Sequence, residues 1–187
     1  MPVVAVGESS VGQSFAINYF LAAENNLLGS NNLEAAQILA IGEHLRELLT
    51  AFRAIVPWGT EPSTEALEKW FEQGATDSTG TADRAGQSTR FLTWWLGRIE
   101  ATLGDKGFAV GDKLSLADVQ LFFILADYLR ENEVTGDFPA WKREPFGSKA
   151  RTDAILAKHP KLLASVDAVR NNANVQKWLA TRGVQGF

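Results

Sequence analysis

The chain contains no cysteine, only two histidines (His44 and His159) and a single methionine. Without cysteine there is no disulfide, no thiolate nucleophile and no iron–sulfur ligation, and two distant histidines do not make the usual zinc spacings, so no metal site is expected. Also missing is a run of about eighteen apolar residues, the length a membrane-spanning helix needs. The greasiest stretch, Val119 to Leu129, is broken by Gln120 and Asp127. Positive charge is not in excess: 18 Lys and Arg stand against 22 Asp and Glu, a net charge of −4. Such a balance repels a phosphate backbone, which argues against nucleic acid as a partner. The start has no basic segment ahead of its apolar residues, and Glu8 and Asn18 interrupt any signal-like core, so the expected compartment is cytoplasmic or equally reducing. The chemistry that remains belongs to hydroxyls, carboxylates, amides and backbone.

What is present is core-forming material. Of 187 residues, 45% are hydrophobic and 21% charged, and a chain of this size buries roughly 70% of its surface on folding. Pro2 to Val6 is short and β-branched, and Gly7 to Ser10 supplies turn chemistry before Val11, which predicts a strand, a tight turn and a second short strand. From Ser14 the pattern becomes helical until Gly29 stops it, and a boundary between two units is expected near Ser30. Asn32 is the expected cap of a long helix whose apolar positions Ile38, Ile41, Leu45, Leu48, Phe52 and Ile55 recur every three to four residues up to Pro57.

Beyond Pro62 a further amphipathic stretch runs through Leu67, Trp70 and Phe71, and Gln73 to Gln87, poor in large apolar groups, reads as the most mobile part of the chain. Phe91, Trp94, Trp95, Ile99 and Leu103 lie at helical spacing. Ser115 opens a helix that is apolar nearly all round, as expected of a bundle centre; Thr135 to Gly147 reads as a loop, and Pro160 starts the penultimate helix.

Three stretches, in order, resemble the glutathione transferase family, in its sigma- and pi-like members. They are Met1-Pro2-Val3-Val4 with Gly12-Gln13-Ser14-Phe15; Gly107-Phe108-Ala109-Val110-Gly111-Asp112-Lys113-Leu114-Ser115-Leu116-Ala117-Asp118; and His159-Pro160-Lys161-Leu162 running on to Asn174-Val175-Gln176-Lys177-Trp178-Leu179. The fold this implies is mostly α: residues 1–29 as a partial thioredoxin-like segment, a β-hairpin plus helix with that domain truncated at its N-terminus, then residues 30–187 as an all-helical C-terminal domain. The middle stretch also has a reading of its own. Ser115 and Asp118 have capping-box spacing, with Leu114 placed to staple onto Val119, so both residues are expected to be structural.

Gln13 and Ser14 stand where the family holds the γ-glutamyl carboxylate of glutathione, and Met1 and Pro2 where it pairs the backbone of the cysteinyl unit. Free amides at a helix start suit a carboxylate, although Ser14 as a simple helix cap is the competing reading. The resemblance further implies a homodimer through the first two long helices, about Leu33 to Val56 and Thr64 to Glu100. Glu47, with Glu43 one turn earlier, is then the nearest acid to the partner's glutathione; a solvated acid beside Arg46 is the alternative. Phe52, Trp58 and Trp94 are candidates to line a hollow for the apolar second substrate, against an ordinary role in the core. The strand–helix–strand that carries the family's thiol-activating Tyr, Ser or Cys has no counterpart ahead of Pro2, and Tyr19 and Tyr128 read as core. Two functions therefore stay open: a glutathione transferase-like enzyme acting on electrophiles in detoxification, if its site is completed, or a non-catalytic interaction or ligand-binding module of the same fold.

Overall fold

The structure, a computed structural model, describes residues 2–72 and 90–185. Met1 and the stretch Gln73 to Gln87 lie outside the described residues. Strands β1 (Val3–Val6) and β2 (Ser9–Gly12) pair antiparallel, Val3 opposite Gly12 and Val6 opposite Ser9, around a turn in which Gly7 adopts a φ of 60°. Helix α1 (Ser14–Glu24) follows at once and buries Ile17 and Ala22. Gly29 then reverses the chain at a φ of 77°, and a Cβ there would stand 2.5 Å from the Cβ of Glu34, so no larger residue fits.

The long helix α2 (Asn32–Ile55) is capped one residue earlier than expected: the Asn31 side chain accepts the Glu34 amide at 3.0 Å. The Glu34 carboxylate in turn accepts the Ser30 amide at 2.6 Å, which ties the joint to the first helical turn. The periodic positions of α2 are buried as predicted, Ile38, Leu45 and Leu48 almost completely, except that Ile55 at its end is half-buried. Helices α3 (Thr64–Glu72) and α4 (Leu92–Glu100) lie either side of the undescribed stretch. They are followed by α5 (Leu116–Leu125), α6 (Ala140–Arg143), α7 (Lys149–Leu156), α8 (Pro160–Arg170) and α9 (Ala173–Thr181), with short 3₁₀ turns at Glu131–Glu133 and Pro145–Gly147.

The bundle is centred on α5, which packs on α8 and α2, while α4 touches both α2 and α8. The interior holds Leu92, Leu96, Ile99, Leu121, Leu125, Leu162 and Val166, all essentially inaccessible. Helix α5 is not dry all round: Phe123 is 68% exposed, because this side opens onto a cavity instead of another helix. Nor are the two tyrosines core residues, Tyr19 being 46% and Tyr128 41% exposed. The segment read as a loop from Thr135 to Gly147 contains α6 and a 3₁₀ turn, which bring Phe138, Trp141 and Phe146 to that cavity. No helix among the described residues is long and apolar enough to cross a membrane.

Two carboxylates tie the bundle together. Asp118, fully buried near the start of α5, accepts the Ser115 amide at 2.8 Å and its hydroxyl at 2.6 Å on Oδ2, and the Ala109 amide at 2.7 Å and the Ser165 hydroxyl at 2.6 Å on Oδ1. The capping box at Ser115 is closed, and the same acid reaches α8. Glu100 at the end of α4 accepts the Lys161 and Leu162 amides at 3.0 and 2.8 Å, capping α8 from a different helix. His159, just ahead of α8, is half-buried, and that burial lowers its pKa below the usual histidine value.

Candidate functional site

The start of α1 is an uncapped helix terminus. Its first internal bond runs from the Ile17 amide to the Gln13 carbonyl at 3.0 Å, so the amides of Ser14, Phe15 and Ala16 have no acceptor within the helix. The Gln13 side chain makes no cap bond, and no acid occupies the first turn. Ser14 stands at the first helical position, one residue beyond the cap, so it is not the helix cap. Gln13, Ser14 and Phe15 are exposed. Gln13 itself holds a φ of 70° with a ψ of 120°, a backbone state that costs a residue bearing a Cβ about 1–3 kcal/mol. Exposed amides, a hydroxyl and the positive end of the helix dipole together form a seat for a carboxylate. Pro2 is exposed at the near end of β1, and Met1 lies outside the described residues.

A second site lies elsewhere on the bundle. A cavity of 630 Å³ opens between the C-terminal ends of α2 and α5, the segment from Tyr128 to Gly147, and α9. Phe52 and Trp58 both line it. Phe52 is buried against Trp70 and Phe146, with ring centroids 5.1 Å away in each case, whereas Trp58 is 81% exposed with the Arg53 guanidinium 3.8 Å above its ring. Trp94 is not part of this wall. It is half-buried on α4, edge-on to Trp95 at 4.8 Å and beneath Arg90 at 4.4 Å. Phe123, Tyr128, Phe138, Trp141, Phe146 and Trp178 complete the aromatic lining, and sequence reasoning did not single them out for it. Phe138, Trp141 and Phe146 crowd into one short segment otherwise read as loop, and that density was the available signal.

Sequence reasoning also missed a buried ionic cluster at the rim of this cavity. Arg182, its side chain 4% exposed, donates to both Asp127 oxygens at 2.9 and 3.0 Å and to both Glu133 oxygens at 3.0 Å, and its Nη2 reaches the Tyr128 carbonyl at 2.6 Å. Arg130 adds a second cation to Glu133, whose other oxygen accepts the Arg130 amide at 2.8 Å. Hydrogen bonds from Arg182 and then Arg130 hold the Glu133 carboxyl well below the usual carboxylate range. Burial pushes Asp127 upward against the pull of Arg182. Asp127 and Arg182 also line a neighbouring cavity of 510 Å³ between α5, α7, α8 and α9, so the cluster forms a wall shared by both hollows. Neither cavity is lined by a residue of β1, β2 or α1.

Of the two acids singled out on α2, Glu43 is engaged by Arg46, whose Nε donates to it at 3.0 Å. Glu47 is exposed and makes no hydrogen bond among the described residues. No group of three His, Asp or Glu placed to hold a metal ion is found among the described residues.

A family model for the glutathione S-transferase C-terminal domain matches residues 65–182. The chain belongs to the glutathione S-transferase family. Relatives agree over its whole length: it is 25% identical over 174 residues to S-crystallin SL11 of Nototodarus sloanii, covering 92% of this chain and 75% of that protein. It is 26% identical over 190 residues to probable glutathione S-transferase 7 of Caenorhabditis elegans, covering 100% of this chain and 76% of the relative. Among solved structures, a glutathione S-transferase from Necator americanus, described as monomeric, superposes with a TM-score of 0.68 at 21% identity, over 100% of this chain and 76% of that one. A Nu-class transferase from Haemonchus contortus gives 0.66 at 20%, with the same coverage. In the terms of this fold, the β-hairpin and α1 are part of a thioredoxin-like unit and the remaining helices are the C-terminal domain. Glutathione is the family's co-substrate.

Proposed function

We propose that this glutathione S-transferase family member binds glutathione at the start of α1. The unpaired amides and hydroxyl of Ser14, next to the strained Gln13, receive the γ-glutamyl carboxylate, and the backbone at Met1 and Pro2 borders the cysteinyl unit. The observation that carries this reading is the Gln13 backbone, since a non-glycine residue held at a φ of 70° beside an open helix terminus marks a place shaped for something other than stability. The division falls at Gly29, with residues 1–29 as the glutathione-side unit. In a homodimer formed through α2 and its neighbours, Glu47 is the acid on α2 left unengaged to meet the amino group of the partner's glutathione.

The aromatic cavity, with Phe52 and Trp58 in its wall, receives the apolar part of the electrophile; no residue of β1, β2 or α1 lines it, so the reacting carbon must extend beyond it to meet glutathione. The glutathione thiolate sulfur bonds to the electrophilic carbon as a leaving group departs, or adds reversibly and isomerises the substrate. A thiolate needs an activating donor: Ser14 offers a hydroxyl at the start of α1, Tyr19 lies about one and a half turns further along, and Tyr128 lies in the cavity wall. That placement favours, as a second reading, a ligand-binding or interaction module that takes up glutathione without turning over an electrophile.

Calorimetric titration with reduced glutathione tests the reading, run beside Ser14→Ala and paired with light scattering. The expected result is saturable binding in the millimolar range or tighter, weakened about tenfold or more in the variant, which is the 1.4 kcal/mol of one good hydrogen bond to a charged group. The expected mass is twice the 20.4 kDa of the chain. No heat from either protein removes the glutathione site, and a particle of single-chain mass removes the role given to Glu47.

A further inference from the structure

Residues 1–29 pass into the bundle through a short joint that two helix starts grip. The Leu27 carbonyl accepts the amide of Leu116, the first residue of α5, at 2.9 Å. A helix leaves its first amides without internal partners, and here the joint supplies the acceptor for one of them. Three residues further on, the Ser30 amide donates at 2.6 Å to the carboxylate of Glu34, which stands in the first turn of α2. On either side of the first grip the backbone is left-handed, at Asn26 with a φ of 57° and at Gly29 with 77°. A few residues of this kind at the end of an element are enough to absorb a hinge rotation, so α1 keeps one direction only while the joint is held.

Glu34 is the side chain that does the holding. It is half-buried. A Cβ on Gly29 would lie 2.8 Å from its Oε2, and a Cβ on Gly111 would lie 3.3 Å from the same oxygen and 3.4 Å from Oε1. Gly111, at a φ of 69°, belongs to the segment between α4 and α5, so the carboxylate is seated against glycine backbone from two separate parts of the chain. A side chain at either glycine would push it out. The cap of α2 is a different group: the Asn31 side chain accepts the Glu34 amide at 3.0 Å, which leaves the Glu34 carboxylate to the joint.

We infer that Glu34 is a positioning residue: by pinning Ser30 while seated against Gly29 and Gly111, it holds residues 1–29, and the open start of α1 with them, in one orientation on the bundle. Neither cavity is lined by a residue of β1, β2 or α1, so the separation between groups bound at the two places depends on how residues 1–29 sit. An error of about 1 Å between reacting groups costs up to roughly a hundredfold in rate, which is why a reaction spanning the two places requires a joint that does not swing. The inference rests on the proposed function only in taking the start of α1 as a ligand seat.

The test reads orientation directly, in the full chain without glutathione. The chain has no cysteine, so nitroxides at Ser10→Cys on β2 and Lys158→Cys ahead of α8, both exposed positions, report one distance by double electron–electron resonance. The expected result is a single narrow distribution that becomes about twofold broader or more in Glu34→Ala, as a freed hinge demands. Glu34→Gln keeps an oxygen for the Ser30 amide and is expected to stay close to the native width. Gly111→Ala, which pushes on the carboxylate from the other side, is expected to broaden the distribution as well. Asn31→Ala removes the cap of α2 alone, so it is expected to lower the thermal midpoint without broadening the distance. An unchanged width in both Glu34→Ala and Gly111→Ala, or equal broadening by Asn31→Ala, overturns the inference. A failed glutathione titration beside these broadened distances removes the ligand seat and leaves the positioning role standing.

Discussion

Asp118→Asn lowers the folding stability by about 3–5 kcal/mol, read as a fall in the urea midpoint at unchanged slope. The size follows from how donors are distributed. Each carboxylate oxygen faces one backbone amide and one serine hydroxyl: Ser115 amide and hydroxyl on Oδ2, Ala109 amide and Ser165 hydroxyl on Oδ1. An asparagine must turn its NH2 toward one of these pairs. The hydroxyl can rotate to accept, but the amide beside it cannot, so either orientation leaves a buried N–H facing an N–H. Ser165→Ala removes one bond and its donor together, and a loss of about 1 kcal/mol is expected there. If Asp118→Asn stays within 1 kcal/mol of the native sequence, the carboxylate is not the tie it is drawn as. Helix capping alone, without the reach to Ala109 and α8, would produce only the smaller figure.

Arg182→Met is the other large effect, again about 3–5 kcal/mol, because it strands two buried acids instead of merely deleting a contact. Asp127 and Glu133 are 12% and 2% exposed at their side chains. Glu133 would retain only Arg130, and Asp127 would retain no cation. Arg182→Lys is expected to recover part of the loss, since an ammonium is one point charge where the guanidinium serves two carboxylates and a carbonyl in fixed directions. Adding Asp127→Asn to Arg182→Met should recover part of the loss, as the carboxylate left without a cation disappears. Unchanged midpoints in all three variants would mean that water, not Arg182, satisfies these acids.

The same cluster sets the response to acid. Glu133 is held far below the ordinary value of 4.5. Below that value the unfolded chain takes up a proton that the folded chain refuses, so stability contributed by Glu133 is complete above about pH 4.5 and is lost progressively as pH falls. Asp127 has the opposite sign, because its folded carboxyl takes its proton earlier than the unfolded one. The Glu133 shift is the larger, and net acid destabilisation follows; it should shrink in Arg182→Met, where Arg130 alone still holds the carboxylate.

These features differ in how readily the chain discloses them. The Ser115–Asp118 box was legible because its partners are three residues apart and followed by an apolar run. The start of α1 was legible for the same local reason. The cap of α2 fell on Asn31 instead of Asn32 because adjacent asparagines are equivalent until the chain direction at Gly29 is known. The wet side of α5 was hidden because Phe123 looks like any core residue until a hollow is found beside it. Nothing in the sequence announces the Arg182 cluster, whose members are separated by 49 and 55 residues, nor a cavity assembled from α2, α5, α6 and α9. Trp94 misled for a related reason, since an aromatic at helical spacing carries no sign of which side of the helix a hollow will lie on.

The bonds gathered by Asp118 span 3, 9 and 47 residues of chain, and those of Glu100 span 61 and 62. Loop-closure entropy rises with such spans, slowly but steadily, so they set an order of assembly. The turn at Ser115 closes first on its own, the Ala109 loop joins it next, and α8 docks last, when both acids receive it together. Until the residues of α8 are present, Asp118 lacks one of its four donors and Glu100 both of its α8 amides, so the arrival of that one helix completes both.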